Sequence, residues 1–334
     1  VCGAGWLLHQ QPARCETYSD TTLAPAPLAA PVVSKPRTSS AWGLACVAGF
    51  LGVWVGSVLL PIGVCVAAVL GYWKTVAAAS GVVLGLRLVQ DSLPVVPFMR
   101  RAVGDGIATW HRAEVVYEGG VPGRKALVCV HPHGIFSSGL QVLALSEEMS
   151  DCSVIVAGFL KTLAPAFSAL CSLGGVRLVG AGRSSVAAAM EEGGTCVVVP
   201  GGFHEATISS TQVDRVYLKS RKGFVKYALR HGYSLHPCFV FGESQTHSNL
   251  QGGWSIRLWL NNWAIPTILP FGCWWMPMMP RRAPLKVVVG PGIQMPTVPN
   301  ATGEEIEKYH RLYIEAVCDL HRRHSGAGPA LEVW

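Results

Sequence analysis

The sequence predicts an α/β fold, a mixed, mostly parallel sheet flanked by helices, preceded by an N-terminal membrane hairpin of apolar helices. Three observations point there. From about Arg124 onward, short apolar runs suited to buried strands alternate with stretches of helical spacing. Ala41 to Trp73 contains no charged residue. The chain as a whole is 50% hydrophobic and only 14% charged, where soluble domains carry about 25% charged residues.

Taken in order, residues 1–40 are rich in Pro, Ala, Thr and Ser, and Leu23–Pro36 has neither helical nor strand period. They read as a disordered tail. Residues 41–86 form the hairpin. The charge-free run is too long for one straight span of about 20 residues and too short for two. Pro61 and Gly63 sit near its middle, where a helix is expected to break. Val76–Leu86 extends the returning arm. Lys35 and Arg37 precede the hairpin, and Lys74, Arg87, Arg100 and Arg101 follow it. Positive charge on both sides places both ends in the cytosol.

Residues 87–334 form the third region. Leu127–Val130, Ser153–Ala157, Val176–Val179, Thr195–Val199, Leu235–Phe241 and Leu285–Val289 read as strands. Leu140–Met149, Leu160–Leu173, Ser184–Glu192 and Phe224–His231 read as helices, the last closed by Gly232. A final helix starts at Thr302 with Glu305 completing a capping box and runs to about His321. Between Trp254 and Pro280 lie five tryptophans and three methionines interrupted by prolines. Tryptophan suits a membrane interface, being apolar with one polar N–H. A core insertion accounts for single residues equally well, but the segment as a whole favours lipid contact.

A net charge of +7 admits nucleic acid, anionic lipid or a phosphorylated substrate as partner. The basic residues form no long run, which disfavours nucleic acid. Eleven scattered cysteines, without a C-x-x-C pair, read as buried thiols in a reducing compartment with no disulfide framework.

Three constellations carry chemistry. His131-Pro132-His133-Gly134 follows an apolar strand, and strand ends are where α/β sheets place their sites. No third and fourth ligand stands at metal spacing beside this pair, so no metal is expected. Pro200-Gly201-Gly202-Phe203-His204-Glu205 follows another strand. Its glycines suit an oxyanion or phosphate cradle and Glu205 suits the orientation of a histidine, although a tight turn explains the segment equally well. Arg221, Lys222, Gly223 and Lys226 gather at a helix start, where anions are favoured. Taken alone, that cluster reads more simply as a solvated basic face. No G-x-S-x-G elbow, dinucleotide fingerprint or Walker loop occurs. Hydrolase, dehydrogenase and nucleotidase functions lose ground accordingly.

Together these segments resemble the type-2 diacylglycerol acyltransferase family, which also contains monoacylglycerol and wax-alcohol acyltransferases. The resemblance spans about Ala41 to His324. It rests on His131–Gly134, on Gly201-Gly202 with Glu205, and on the run Arg221–Gly232. Pro237 with Phe241-Gly242-Glu243, Val288–Gly290 before Ile293, and Tyr309-His310 with Tyr313, Glu315 and Ala316 complete it. The resemblance implies a glycerolipid-acyltransferase-like fold. It implies transfer of a fatty acyl group from acyl-CoA to diacylglycerol, forming triacylglycerol, at the endoplasmic reticulum membrane and lipid droplets, with the catalytic domain facing the cytosol. Acyl-CoA is then a substrate, no cofactor is needed, membrane lipid is a partner, and a homo-oligomer is compatible. Monoacylglycerol or a long-chain alcohol is the alternative acceptor. A non-catalytic lipid-droplet or lipid-binding protein is the alternative from another class, and a soluble esterase a third.

Glycerolipid acyltransferases carry His-x-x-x-x-Asp. Here Phe136 stands five residues after His131 and Ser138 five after His133, so the orienting carboxylate comes from elsewhere, with Glu205 the candidate. On this reading His133 is the general base, His131 orients it or lines the site, and Gly134, Gly201 and Gly202 supply backbone to the oxyanion. Arg221, Lys222, Gly223 and Lys226 hold acyl-CoA. Phe203-His204 replaces the small residues usual before the Glu, which leaves the acceptor open.

Overall fold

The computed structural model describes residues 12–15, 32–34, 38–263, 265 and 267–334. Along the chain the elements are β1 (Ala13–Arg14), β2 (Val32–Ser34), α1 (Ser40–Val69), α2 (Trp73–Val89), α3 (Pro97–Trp110), β3 (Glu114–Tyr117), β4 (Ala126–His131), α4 (Ser138–Leu145), β5 (Ser153–Val156), α5 (Gly158–Leu163), α6 (Pro165–Leu173), β6 (Arg177–Gly180), α7 (Arg183–Glu191) and β7 (Cys196–Val198). There follow α8 (Gly202–Ile208), β8 (Asp214–Val216), α9 (Gly223–His231), β9 (Ser234–Phe241), α10 (Trp254–Asn261), β10 (Lys286–Val289), α11 (Gly303–His324) and β11 (Leu331–Val333). They divide into two compact units, one of residues 1–35, 111–140 and 198–334, the other of 36–110 and 141–197.

In the first unit five strands lie in the order β2-β3-β10-β9-β4. β3 with β10 and β9 with β4 are parallel, while β2 with β3 and β10 with β9 are antiparallel. Two of these four pairs are parallel and two antiparallel, so the sheet is mixed, as expected. The long connection between β9 and β10 is not a simple crossover, and it returns β10 antiparallel to its predecessor. Every residue of β4 is buried, as its unbroken apolar run requires. A small sheet, β1-β11-β8, completes the unit. α11 begins with the predicted capping box, Thr302 Oγ1 accepting the Glu305 N–H and Glu305 Oε2 the Thr302 N–H. Its buried face, including His310, Tyr313, Ile314, Val317, Cys318 and His321, repeats at three- and four-residue spacing.

Two expectations are corrected here. Cys15 and Cys318 form a disulfide, so the cysteines are not all free thiols; β1 and α11 bring the pair together across a wide gap in sequence. Within the stretch expected to lack order, Ala13–Arg14 and Val32–Ser34 form strands; residues 1–11, 16–31 and 35–37 lie outside the described residues. The Trp-rich segment divides. Trp254 packs with Ile208, Tyr217, Leu258 and Trp334 in a core cluster, whereas Trp259, Trp263, Trp274 and Trp275 are exposed.

In the second unit α1 does not break at Pro61. It runs unbroken from Ser40 to Val69, capped by the Ser39 hydroxyl, and the chain turns at Gly71 (φ 79°) before α2. Pro61 forfeits one backbone hydrogen bond without ending the helix. Among the described residues α1 is the one helix long and apolar enough to cross a membrane, with mean hydropathy 2.2 and 11% of that window buried. The helix expected over Leu160–Leu173 splits at Ala164, because Pro165 disfavours helical backbone in the residue before it. β7, β5 and β6 are neighbours in that order, with β5 and β6 parallel. Arg100, one of the positive charges that follow the hairpin in sequence, is buried. Its guanidinium donates to the carbonyls of Ala144, Ser146, Gly174 and Gly175 at 2.6–3.2 Å.

Candidate active site

The site is assembled within the first unit at the carboxyl end of β4. The last residue of that strand, His131, is fully buried, and both ring nitrogens are engaged. Nδ1 stands 3.2 and 3.3 Å from the two Glu205 oxygens, and Nε2 lies 3.0 Å from the Tyr313 hydroxyl. Glu205 already accepts the backbone N–H groups of His133 (2.7 Å) and Tyr217 (2.9 Å). Its oxygens act as acceptors, so His131 Nδ1 carries a proton toward them, while the Tyr313 hydroxyl lies between Nε2 and the Cys129 carbonyl, to which it donates at 3.3 Å. Tyr313, itself buried, is packed edge-on against Phe224 at the start of α9.

His133 is arranged differently. Its ring is only partly buried. Nδ1 lies 3.0 Å from the Gly134 carbonyl and 3.1 Å from Ser137 Oγ. A carbonyl can only accept, so Nδ1 carries the proton and Nε2 keeps its lone pair. Burial lowers the His133 pKa, against the opposing pull of the Gly134 carbonyl and the Glu205 charge, so the ring is neutral at pH 7. The loop bends sharply to allow this: Gly134 has φ 61° and Ser137 φ 50°. A Cβ on Gly134 would meet a Glu243 oxygen at 2.4 Å. Glu243 accepts the N–H groups of Ser138 (3.0 Å) and Gly139 (2.7 Å), the first residues of α4. Burial pushes its pKa up to about 7, against the pull of these two backbone hydrogen bonds.

Glu205 therefore meets the ring of His131 and only the main chain of His133, which corrects the expected side-chain pairing with His133. The reason is the main-chain bond: a carboxylate that accepts the His133 N–H sits beside the loop's backbone, on the side where β4 presents His131. The glycines also shape the site. A Cβ on Gly201 would lie 2.1 Å from Glu205 Oε2, so glycine there admits the carboxylate. The Gly202 N–H is donated to the Val199 carbonyl. Gly134 contributes its carbonyl to His133.

The family model for diacylglycerol acyltransferase matches residues 121–327. The chain belongs to that family. It is 31% identical over 228 residues to mouse diacylglycerol O-acyltransferase 2-like protein 6, covering 61% of this chain and 67% of that one. It is 31% identical to mouse 2-acylglycerol O-acyltransferase 1 (61% and 67%) and 30% identical to human diacylglycerol O-acyltransferase 2 (60% and 57%). A solved 1-acyl-sn-glycerophosphate acyltransferase from Thermotoga maritima aligns at TM-score 0.41 and 15% identity, covering 80% of this chain and 97% of that one.

In this acyltransferase-family chain the basic cluster does not act as one patch. Arg221 is half-buried, its guanidinium 5.3 Å above the Tyr217 ring and its Nη2 2.6 Å from His204 Nδ1. Lys222 is ion-paired with Glu307, Gly223 opens α9, and Lys226 is exposed. Sequence reasoning gave no local role to Tyr313, Ser137 or Glu243. Tyr313 and Glu243 stood in the segments that carry the family resemblance without an assigned role, and Ser137 carried no local signal.

Proposed function

We propose that the chain transfers a fatty acyl group from acyl-CoA to the free hydroxyl of diacylglycerol, forming triacylglycerol, with His133 as general base. The observation that carries this reading is the His133 ring: neutral, held by Nδ1, with Nε2 uncommitted at a strand end. The lipid hydroxyl oxygen attacks the thioester carbonyl carbon as Nε2 takes its proton. The tetrahedral intermediate then expels the CoA thiolate, which recovers the proton from the imidazolium. Thiolate leaves readily, so the chemistry calls for neither a metal nor a covalent enzyme intermediate. His131, fixed on both nitrogens, lines and stiffens the loop, and Glu205 sets the His133 main chain. Acyl-CoA enters as substrate.

Both substrates carry long chains, and two surfaces support a membrane setting at the endoplasmic reticulum. α1 is apolar along its length. In the first unit Ile256, Trp259, Trp263, Phe271 and Trp274 are exposed, and no acidic residue occurs between Glu243 and Glu304. Aromatic side chains beside an excess of positive charge suit an anionic bilayer interface. The relatives named for 2-acylglycerol and for wax alcohols are as similar as those named for diacylglycerol, so the acceptor is the part to test. Microsomes containing the chain are supplied with radiolabelled palmitoyl-CoA and a panel of diacylglycerol, monoacylglycerol and long-chain alcohol. Triacylglycerol as main product upholds the reading, and preference for another acceptor replaces it within the class. A lack of product with every acceptor favours a lipid-binding role.

A further inference from the structure

His204 lies one residue before Glu205 in α8, and its surroundings are closely specified. Its Nε2 is 3.0 Å from Asn262 Oδ1 and its Nδ1 2.6 Å from Arg221 Nη2. Guanidinium can only donate, so Nδ1 is the acceptor and Nε2 carries the proton toward Asn262. Burial and the adjacent Arg221 push the His204 pKa down to about 4, consistent with a permanently neutral ring. The imidazole and the guanidinium both pack over Tyr217, at 4.9 and 5.3 Å between centres. Tyr217 in turn gives its N–H to Glu205. Arg221 is thereby fixed on two sides, yet its Nε is buried and has no hydrogen-bond partner. A buried charged donor without an acceptor is costly, so the contacts that hold the rest of the guanidinium in place matter the more.

We propose that His204 is a positioning residue that fixes Arg221 for a phosphate group of the acyl donor, through the chain Asn262–His204–Arg221. This rests on the reading of Arg221 as part of the acyl-CoA site. A neutral imidazole acceptor suits the task because it holds a guanidinium without neutralising it; a carboxylate in its place would cancel the charge that the phosphate needs. A small residue at this position would leave Arg221 free to swing.

The test uses full-length protein in microsomes and two thioesters of one fatty acid: palmitoyl-CoA, and palmitoyl-pantetheine, which lacks phosphate. Arg221→Ala is expected to raise KM for palmitoyl-CoA roughly tenfold, the scale of a lost charged hydrogen bond, and to leave KM for palmitoyl-pantetheine unchanged. His204→Leu, which keeps bulk without polarity, should raise KM for palmitoyl-CoA about fivefold with kcat nearly unchanged. His204→Asn, which restores an acceptor, should return KM toward the starting value. An unchanged KM for palmitoyl-CoA in Arg221→Ala removes the donor-site reading of Arg221. A shift in Arg221→Ala without one in His204→Leu overturns the positioning role alone. A His204→Leu variant that worsens both thioesters equally, or lowers kcat instead of raising KM, also overturns it, since a general loss of structure would do the same.

Discussion

Glu205 and Glu243 are both fully buried carboxylates that grip the loop leaving β4. Glu205 takes three donors, the His133 and Tyr217 main chain and the His131 ring, and feels the charge of Arg221. Glu243 takes two backbone N–H groups at the start of α4, and burial outweighs them. Backbone amides alone are enough to cap a helix but leave the buried carboxyl with a raised pKa. A carboxylate that must hold an imidazole gains from the extra donors. The difference separates an electrostatic support of the histidine pair from a purely structural one.

The largest expected effect tests the base itself. His133→Ala should lower kcat/KM by about a thousandfold, within the span usual for removal of a general base, while the protein still inserts in the membrane. Retained activity would transfer the role to another group. With the intact residue, activity should fall as pH drops through the His133 pKa, which burial sets below 6.5; protonated Nε2 cannot accept the hydroxyl proton. A rate that instead rises on acidification would contradict a neutral His133 base.

Glu205→Gln should come next. Gln offers one acceptor oxygen and a competing NH2 to three donors, so at least one of the His133, Tyr217 and His131 bonds is lost. A fall of roughly thirtyfold in kcat is expected from one or two charged hydrogen bonds, with little change in KM for either substrate. An effect no larger than that of Glu243→Gln would erase the distinction drawn between the two carboxylates.

How much of this was legible in sequence follows the range of the interactions. β4 was legible because its apolar run is uninterrupted, and α11 because its capping box is local. The pairing of His131 with Glu205 was not, since the two are 74 residues apart and Tyr313 is 182 residues from His131. Which of two histidines a carboxylate meets is decided by the register at which β4 delivers the loop, and no spacing rule records that. The α1 break was misplaced for a related reason. Pro61 removes one hydrogen bond, which a long apolar helix tolerates, whereas Gly71 supplies the positive φ that the turn requires. β3 went unread because Glu114-Val115-Val116-Tyr117 is short, and only its alignment beside β10 and β2 makes it a strand.

The smallest effect on turnover is expected at Glu243, and its signature lies in stability. Glu243→Gln should cost only about threefold in rate, because one of the two α4 amides keeps an acceptor. The pKa of the folded wild-type carboxyl is raised to about 7 from 4.5. The folded state therefore holds a proton that the unfolded chain releases between pH 4.5 and 7. The contribution of this group is full below pH 4.5 and is lost as pH rises through 7, a swing of order 3 kcal/mol at most. Gln does not titrate, so the variant should lack that component of the slope. Unfolding midpoints of both proteins in the same detergent at pH 5 and pH 8 measure it: wild type should lose more stability across the interval than Glu243→Gln. Parallel losses would mean that Glu243 does not hold its proton across this interval, which would remove the electrostatic contrast between the two carboxylates.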